Sequence, residues 1–495
     1  MREFANPDPV ALHARLRPEA LACLDLATGR RWTYAQLDAD VEKAVSALRA
    51  DGVRAGDRVA LLARNSAWTV ILHQALIRMG GIFVPLNWRL SRAEVEVLLA
   101  DCTPVLLFTD KPELADGRAV KDFSAAVDAA APGPRCLPCP QDTTNMILYT
   151  SGTSGTPKGA KISSTFLLAT AVNFSILGEV DTDCAFLCDT PMFHVIGVVT
   201  QVWPALLRGG AVIISNGFDP EKTNDRLGDA DLGITHYFCV PQMAEGLRHA
   251  SNFAPEHWTK LKALFTGGAP NPAAHIHWWL DRGVLMVDGY GMTECGTILG
   301  MPASDRIVRA KAGAVGLPGP LTQVRLVDDA GADVPAGTEG EVLVHGPNVI
   351  SGYWNRESDA LTEDGWMRTG DIGRADADGY ITIVDRRKDM FISGGENVYP
   401  VEIESAMIHH PAIREVAVIG LPDPRWGEVG HAFIVLAPGA SVTDEDLAAH
   451  CATHLARYKI PKNFVVVDTL PRTASGKLMK HILKADAARA LQQAC

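Results

Sequence analysis

The sequence predicts an α/β protein: a large N-terminal domain of layered βαβ sheets plus a β-rich subdomain, followed by a small C-terminal α+β domain. Three observations carry this. Helix and strand signals alternate at short spacing through the first third of the 495-residue chain, the pattern of βα units feeding a largely parallel sheet. Toward residue 320 the texture changes to short strands broken by glycine turns, and beyond residue 389 strands and helices alternate around a new set of apolar runs.

In chain order, Thr33 and Gln36 form a capping box ahead of the apolar stripe Leu37, Val41, Val45 and Leu48, which Gly52 ends. Val59 to Ala63 reads as a buried strand, Ser66 starts a helix, and Ile82 to Val84 is the next strand. Ser91 with Glu94 caps a helix running to about Ala100, and Val105 to Phe108 closes the series. A proline-rich link, Ala131 to Pro140, leads to the strand-like run Met146-Ile147-Leu148. The β-rich part holds Val324 to Val327 and Glu341 to Val344 around Asp329-Ala330-Gly331. After the charge cluster Asp385-Arg386-Arg387-Lys388-Asp389, strands at Val416 to Ile419, Phe433 to Leu436 and Phe464 to Val467 alternate with helices near Glu402 to His409 and Asp444 to Leu455. The expected division is 1–384, a linking segment 385–388, and 389–495.

Hydrophobic residues make up 47% and charged residues 21%, a soluble globular balance that excludes disorder and disulfide miniatures. No apolar run reaches the roughly 18 residues a bilayer span requires, and the first residues lack an export core, so a cytoplasmic location is expected. A formal charge of −12 without a basic block disfavours nucleic acid as a partner. The ten cysteines read as reduced thiols, with a four-sulfur zinc set from Cys136, Cys139, Cys184 and Cys188 as the lesser alternative.

The most informative stretch is Tyr149 to Gly159, YTSGTSGTPKG: three glycines, five serine or threonine hydroxyls and one lysine behind a strand. Glycines let the backbone approach an anion, hydroxyls donate without adding charge, and a lysine neutralises the remainder. It is not a Walker loop, because Pro157 precedes Lys158 and Gly159 follows it. Downstream, in order, come PMFHVIG (Pro191 to Gly197), TGGAP (Thr266 to Pro270), YGMTE (Tyr290 to Glu294), TGD (Thr369 to Asp371), DRRKDMFISGGENVYP (Asp385 to Pro400) and PRTASGK (Pro471 to Lys477).

This ordered set resembles the adenylate-forming (AMP-binding) superfamily, in its acyl-CoA synthetase branch of fatty-acid and aryl-CoA ligases, from about Thr33 to Lys477. The resemblance implies a mobile C-terminal domain and a two-step reaction. A carboxylate attacks the α-phosphorus of ATP to give an acyl-adenylate and pyrophosphate, and the thiol of CoA then takes the acyl group. It implies ATP, Mg²⁺ and CoA. Nucleotide contacts are expected from Thr150, Ser151, Gly152, Thr153, Ser154, Gly155, Thr156 and Lys158, from Gly268 and Ala269, and from Asp288, Gly289, Tyr290, Gly291 and Thr293. Tyr290 matches the ring that stacks on adenine, Thr293 a phosphate donor and Glu294 the Mg²⁺ carboxylate. Asp371 matches the ribose ligand, joined by Arg386; Lys388 matches the hinge residue and Lys477 the catalytic lysine. Asp288 departs from the amide many relatives carry for the adenine amino group.

Gly394, Gly395 and Trp426 match CoA contacts by resemblance. His194 stands where amino-acid-activating relatives place an aspartate, which disfavours an ammonium-bearing substrate. Together with Val195, Ile196, Gly268 and Gly291 it is expected to wall an acyl pocket suited to an alkyl or aryl tail. No obvious second cation stands beside it, although Arg282 or Arg306 could fold in for a malonate-type dicarboxylate. A loader of carrier proteins remains an alternative. A luciferase-type oxygenase is disfavoured, because the lysine expected four positions after Lys388 is Ile392. The sequence leaves the oligomeric state open, a homodimer among the options.

Overall fold

A computed structural model gives the structure of the chain for residues 8–133, 140, 142–150, 157–357, 360–386, 389–393, 396–423, 425–455, 457–472 and 478–493. Locally encoded elements form where the sequence signals them. Helix Tyr34–Ala50 opens on the expected box: Gln36 N donates to Thr33 Oγ1 and Thr33 N to Gln36 Oε1, a cap of about 1 kcal/mol. Helix Arg92–Cys102 opens on the same device from Ser91 and Glu94, whose hydrogen bonds hold the Glu94 carboxyl below its ordinary range. Ser66 precedes helix Ala67–Met79 but its side chain caps nothing. The orphan amide of Ala67 donates instead to Asp25 Oδ2 at 3.0 Å, from the end of strand Leu21–Asp25.

Two large sheets result. The first has six strands in the order Arg118–Ala119, Leu106–Thr109, Arg58–Leu62, Ile82–Pro85, Thr144–Thr150 and Lys158–Ser163, all neighbours parallel except the last pair. The second has nine. Its parallel centre runs Met286–Met292, Ala263–Thr266, His236–Cys239, Ala185–Cys188, Ala211–Ile214 and Leu21–Asp25, with antiparallel strands at both ends. Central strands buried on both faces read as near-continuous apolar runs, as AVII at Ala211–Ile214 and ALFT at Ala263–Thr266 do. Trp32, Trp203 and Trp279 are among the largest fully buried side chains of this core.

The β-rich part is an antiparallel sheet, Gln323–Val327, Glu339–His345, Met367–Ala375 and Ile381–Arg386. The C-terminal sheet orders Glu396–Val398, Phe391–Ser393, Gly427–Leu436 and Ile413–Asp423, with Asn463–Val466 parallel to Gly427–Leu436. It has its own two cores. Val418 and Ile434 face one with Phe391, Ile403 and Met407, while Ala417, Ile419 and Phe433 face the other with Leu470 and Leu483, the period-two alternation of a strand covered on both sides. Both long strands extend well past the apolar runs that mark them in sequence, because their ends continue pairing outside the buried centre.

One seam joins this sheet to the preceding one. Val401 N, at the start of helix Pro400–Met407, donates to Asp385 Oδ2 at 3.0 Å. Lys480 lies buried against Glu404 at 2.8 Å, where Asp385 and Asp389 add to the field that keeps its ammonium protonated against the cost of burial. Among the described residues no helix is long and apolar enough to cross a membrane.

Candidate active site

The two strands that flank the expected phosphate loop pair with each other. Strand Thr144–Thr150 pairs with Lys158–Ser163 down to Thr150 opposite Lys158, and Thr150 Oγ1 reaches Lys158 O at 3.4 Å. Buried Met146, Ile147 and Leu148 fix the first strand in the core, so the two ends of the loop are rigidly spaced. Ser151, Gly152, Thr153, Ser154, Gly155 and Thr156 lie outside the described residues.

The second wall comes from the other large sheet. Strand Met286–Met292 turns at Thr293 and Glu294 into Gly296–Gly300. Glycine is required here by close strands: a Cβ on Gly291 would fall 2.2 Å from Gly296 O, and one on Gly289 3.1 Å from Leu299 O. The Tyr290 hydroxyl donates to Asp371 Oδ2, and Asp371 N donates to Thr369 Oγ1 at 3.1 Å. Burial first, then the Asp371 charge, pushes the Tyr290 phenol above its ordinary range, so it stays a donor. Asp371 pairs in register with Arg386; for Arg386 only the backbone position is described. Lys388, Gly394, Gly395 and Lys477 lie outside the described residues, as do Cys136 and Cys139.

Asp288 is almost fully buried, and its Oδ1 accepts from Thr266 Oγ1 and Gly289 N, both at 3.0 Å. Burial raises its carboxyl to about 7, the hydrogen bonds opposing. Behind it runs a polarised chain. Asn271 Nδ2 donates to Thr266 Oγ1 at 3.0 Å, His275 Nδ1 lies 2.8 Å from Asn271 Oδ1, and His275 Nε2 lies 3.0 Å from Glu245 Oε1. A carbonyl oxygen only accepts, so Nδ1 carries a proton; the threonine hydroxyl, already accepting, must donate to Asp288.

His194 sits in the turn before a π-helical segment, Ile196–Thr200, a distortion frequent at functional sites. Burial, and then the charge of Arg89, lowers its imidazole to about 4, so it is neutral at pH 7, and its Nε2 has no partner among the described residues. Gly268 adopts φ +80° and its Cα faces Ile196 Cδ1, 3.4 Å from where a Cβ would stand. Gly268 thus approaches Ile196, while the His194 ring lies against Phe193 and Phe193 against Trp88. Arg282 does not fold in: it stacks 3.8 Å over Trp278 and donates to Trp278 O. Arg306 is exposed on helix Asp305–Ala310. The charge that reaches His194 is that of Arg89, which shares the Trp88 ring with Arg64 and Lys111. Trp426 is 39% exposed, just before strand Gly427–Leu436 and under Arg425.

Cys184 and Cys188 are both buried in the core, and among the described residues no group of three or more His, Cys, Asp or Glu side chains is arranged to hold a metal. Three features escape sequence reading: Arg89, the chain from Glu245 to Asp288, and Tyr353. The Tyr353 hydroxyl donates to Glu294 Oε1 at 2.9 Å, and its ring lies 5.4 Å from Lys158 Nζ. Partners 59 and 195 positions away leave no local pattern to find; a tyrosine between Gly352 and Trp354 in a turn is the sole hint.

The sequence profile of the AMP-binding enzyme family matches residues 10–354, and that of the AMP-binding enzyme C-terminal domain matches residues 402–477. The chain is 40% identical to a feruloyl-CoA synthase of Amycolatopsis sp over 94% of its length and 96% of the relative's. It is 39% identical to an indoleacetate–CoA ligase of Aromatoleum aromaticum over 91% and 92%. Among solved structures, the o-succinylbenzoate CoA synthetase of Bacillus subtilis in complex with its acyl-adenylate intermediate superimposes with a TM-score of 0.87 at 32% identity, covering 97% of this chain and 98% of that one.

Proposed function

The chain belongs to the AMP-binding enzyme family and is an ATP-dependent acyl-CoA ligase of monocarboxylic acids, and on that premise we propose how its residues divide the work and which acids it takes. A carboxylate with a pKa near ~4 is already anionic at neutral pH, so adenylation needs no general base. The site must handle charge that builds on the phosphates as pyrophosphate departs. Lys158, the loop 151–156, Thr150 and Thr293 donate to those phosphates, and Lys477 bridges the acid and the α-phosphate. Tyr290 offers its ring face to adenine, Gly268, Ala269, Gly289 and Gly291 leave room for the nucleotide, Asp288 accepts from its amino group, and Asp371 with Arg386 holds the ribose.

Glu294 fits magnesium: Oε1 is fixed by Tyr353, and among the described residues Oε2 has no protein partner, leaving a hard oxygen for a hard cation. When bound, the ion neutralises phosphate charge. The unit 389–495 turns about Lys388 between the two half-reactions, bringing Gly394, Gly395 and Trp426 to the pantetheine arm. The enzyme works in the cytoplasm on small molecules.

The acid is aryl, of the aryl-propenoic or aryl-acetic kind. The supporting observation is a neutral His194 together with the close approach of Gly268 to Ile196, in a chain similar to ligases of feruloyl and indoleacetate type. A second reading rests on Arg89: its charge, which reaches His194, suits an acid whose far end is anionic. Pyrophosphate release with CoA present, over aryl-propenoic, aryl-acetic, fatty and dicarboxylic acids, decides between them. Preference for fatty acids over every aryl acid would refute the aryl assignment, and preference for dicarboxylates would select the Arg89 reading. Adenylation without free acyl-CoA would point to loading of a carrier protein.

A further inference from the structure

Glu294 and Lys158 come from different sheets, and a single side chain touches both. The segment from Asn348 to Asn355 lies across the two like a strap. At one end Asn348 Nδ2 donates to Cys295 O at 2.7 Å and Ile350 N to Glu294 O at 3.0 Å. At the other, Lys161 N donates to Gly352 O at 3.1 Å and Trp354 N to Gly159 O at 2.7 Å, so the strap pairs with the strand that leaves the phosphate loop. Trp354 Nε1 and Asn355 Nδ2 both reach Asp101 O, while Tyr149 OH donates to Asp101 Oδ2 at 2.6 Å, which pins the same hairpin from behind.

Tyr353 sits at the middle of this strap and is 8% exposed. Its hydroxyl binds the carboxylate of Glu294 and its ring faces the ammonium of Lys158. In this bond the phenol hydroxyl is the donor and the carboxylate oxygen the acceptor. A donor on Oε1 fixes the carboxylate rotamer and leaves Oε2 as the oxygen for a cation. The ring meanwhile gives Lys158 an apolar, electron-rich surface within cation–π range, holding the ammonium without neutralising it, which a carboxylate there would do.

We propose that Tyr353 is a positioning residue that sets Glu294 for the metal and Lys158 for the phosphates, so that both halves of the MgATP site are held by one side chain. This rests on the assignment of Glu294 and Lys158 given above. The test is calorimetric titration of ATP into the full chain, with and without Mg²⁺, for the wild type, Tyr353→Phe and Tyr353→Leu, with melting temperatures recorded in parallel. Tyr353→Phe keeps the ring: its ATP binding in EDTA stays at the wild-type level while half-saturating Mg²⁺ rises about tenfold. Tyr353→Leu shows the same Mg²⁺ defect and in addition loses about threefold in Mg²⁺-free affinity. Wild-type Mg²⁺ dependence in Tyr353→Phe overturns the proposal, and so does a loss of affinity equal with and without Mg²⁺, which is what a merely structural role gives. Should Tyr353→Leu not fold, Tyr353→Phe decides alone. A wild-type chain that binds no MgATP would refute the nucleotide site itself, whatever Tyr353 does.

Discussion

The Tyr290 hydroxyl donates to Asp371 Oδ2 across 2.5 Å, joining the end of the nine-stranded sheet to the antiparallel sheet beside it. On the assignment proposed above, the bond would orient the ring for the base and the carboxylate for the sugar together. Tyr290→Phe keeps the ring and releases Asp371, so the KM for ATP should rise a few-fold with kcat little changed. Asp371→Ala removes the acceptor and should raise that KM by about tenfold or more. Pyrophosphate exchange at varied ATP checks both; a larger effect from Tyr290→Phe than from Asp371→Ala would reverse the assigned order of importance.

Asp288 gives a pH signature. Its folded carboxyl is raised from 3.8 to about 7, so the stability it contributes is full below the unfolded value and is lost as pH rises through 7. Asp288→Asn removes a charge that is buried at high pH. The variant should gain on the order of 4 kcal/mol relative to wild type at pH 8, shrinking toward pH 5. Calorimetric melting of both proteins across that range reads it, and a difference independent of pH would contradict it.

Three buried histidines act in the opposite sense. Burial is the leading cause in each: His73 is lowered to about 3, His194 and His236 to about 4. Each contributes stability that is complete above the ordinary value of 6.5 and is lost as pH falls through the folded value. Melting temperature should therefore fall steadily from pH 6.5 to 4, and His236→Asn should flatten part of that slope. An unchanged slope would mean that the ring takes up its proton without unfolding cost.

The two half-reactions should separate by mutation. Lys477→Ala should abolish adenylation, a loss of about a hundredfold or more, while transfer from preformed acyl-adenylate to CoA persists. Lys388→Pro should spare adenylation and stall thioester formation. Quenched-flow assay of each step distinguishes these outcomes, and equal loss of both steps in Lys477→Ala removes its assigned role.

What the sequence could reveal follows from how far each interaction reaches. The Thr33–Gln36 and Ser91–Glu94 caps are complete within four residues, and both are legible and present. The cap of helix Ala67–Met79 comes from Asp25, forty-two positions earlier, so Ser66 marks the right place for the wrong reason. Motif residues such as Tyr290, Asp371 and His194 are legible because the family repeats them in order. Their supports are not: Tyr353, Arg89 and Asn271 acquire meaning only when strands from distant parts of the chain pack together.

The chain of donors behind Asp288 ends on Glu245, a residue of helix Pro241–His249 with 40% of its side chain in water. A solvent-facing acid is thus wired through three side chains, His275, Asn271 and Thr266, to buried Asp288. Replacing Glu245 would unmoor His275, and on the assignment of Asp288 proposed above that slack would reach the base-binding floor from the outer skin of the molecule.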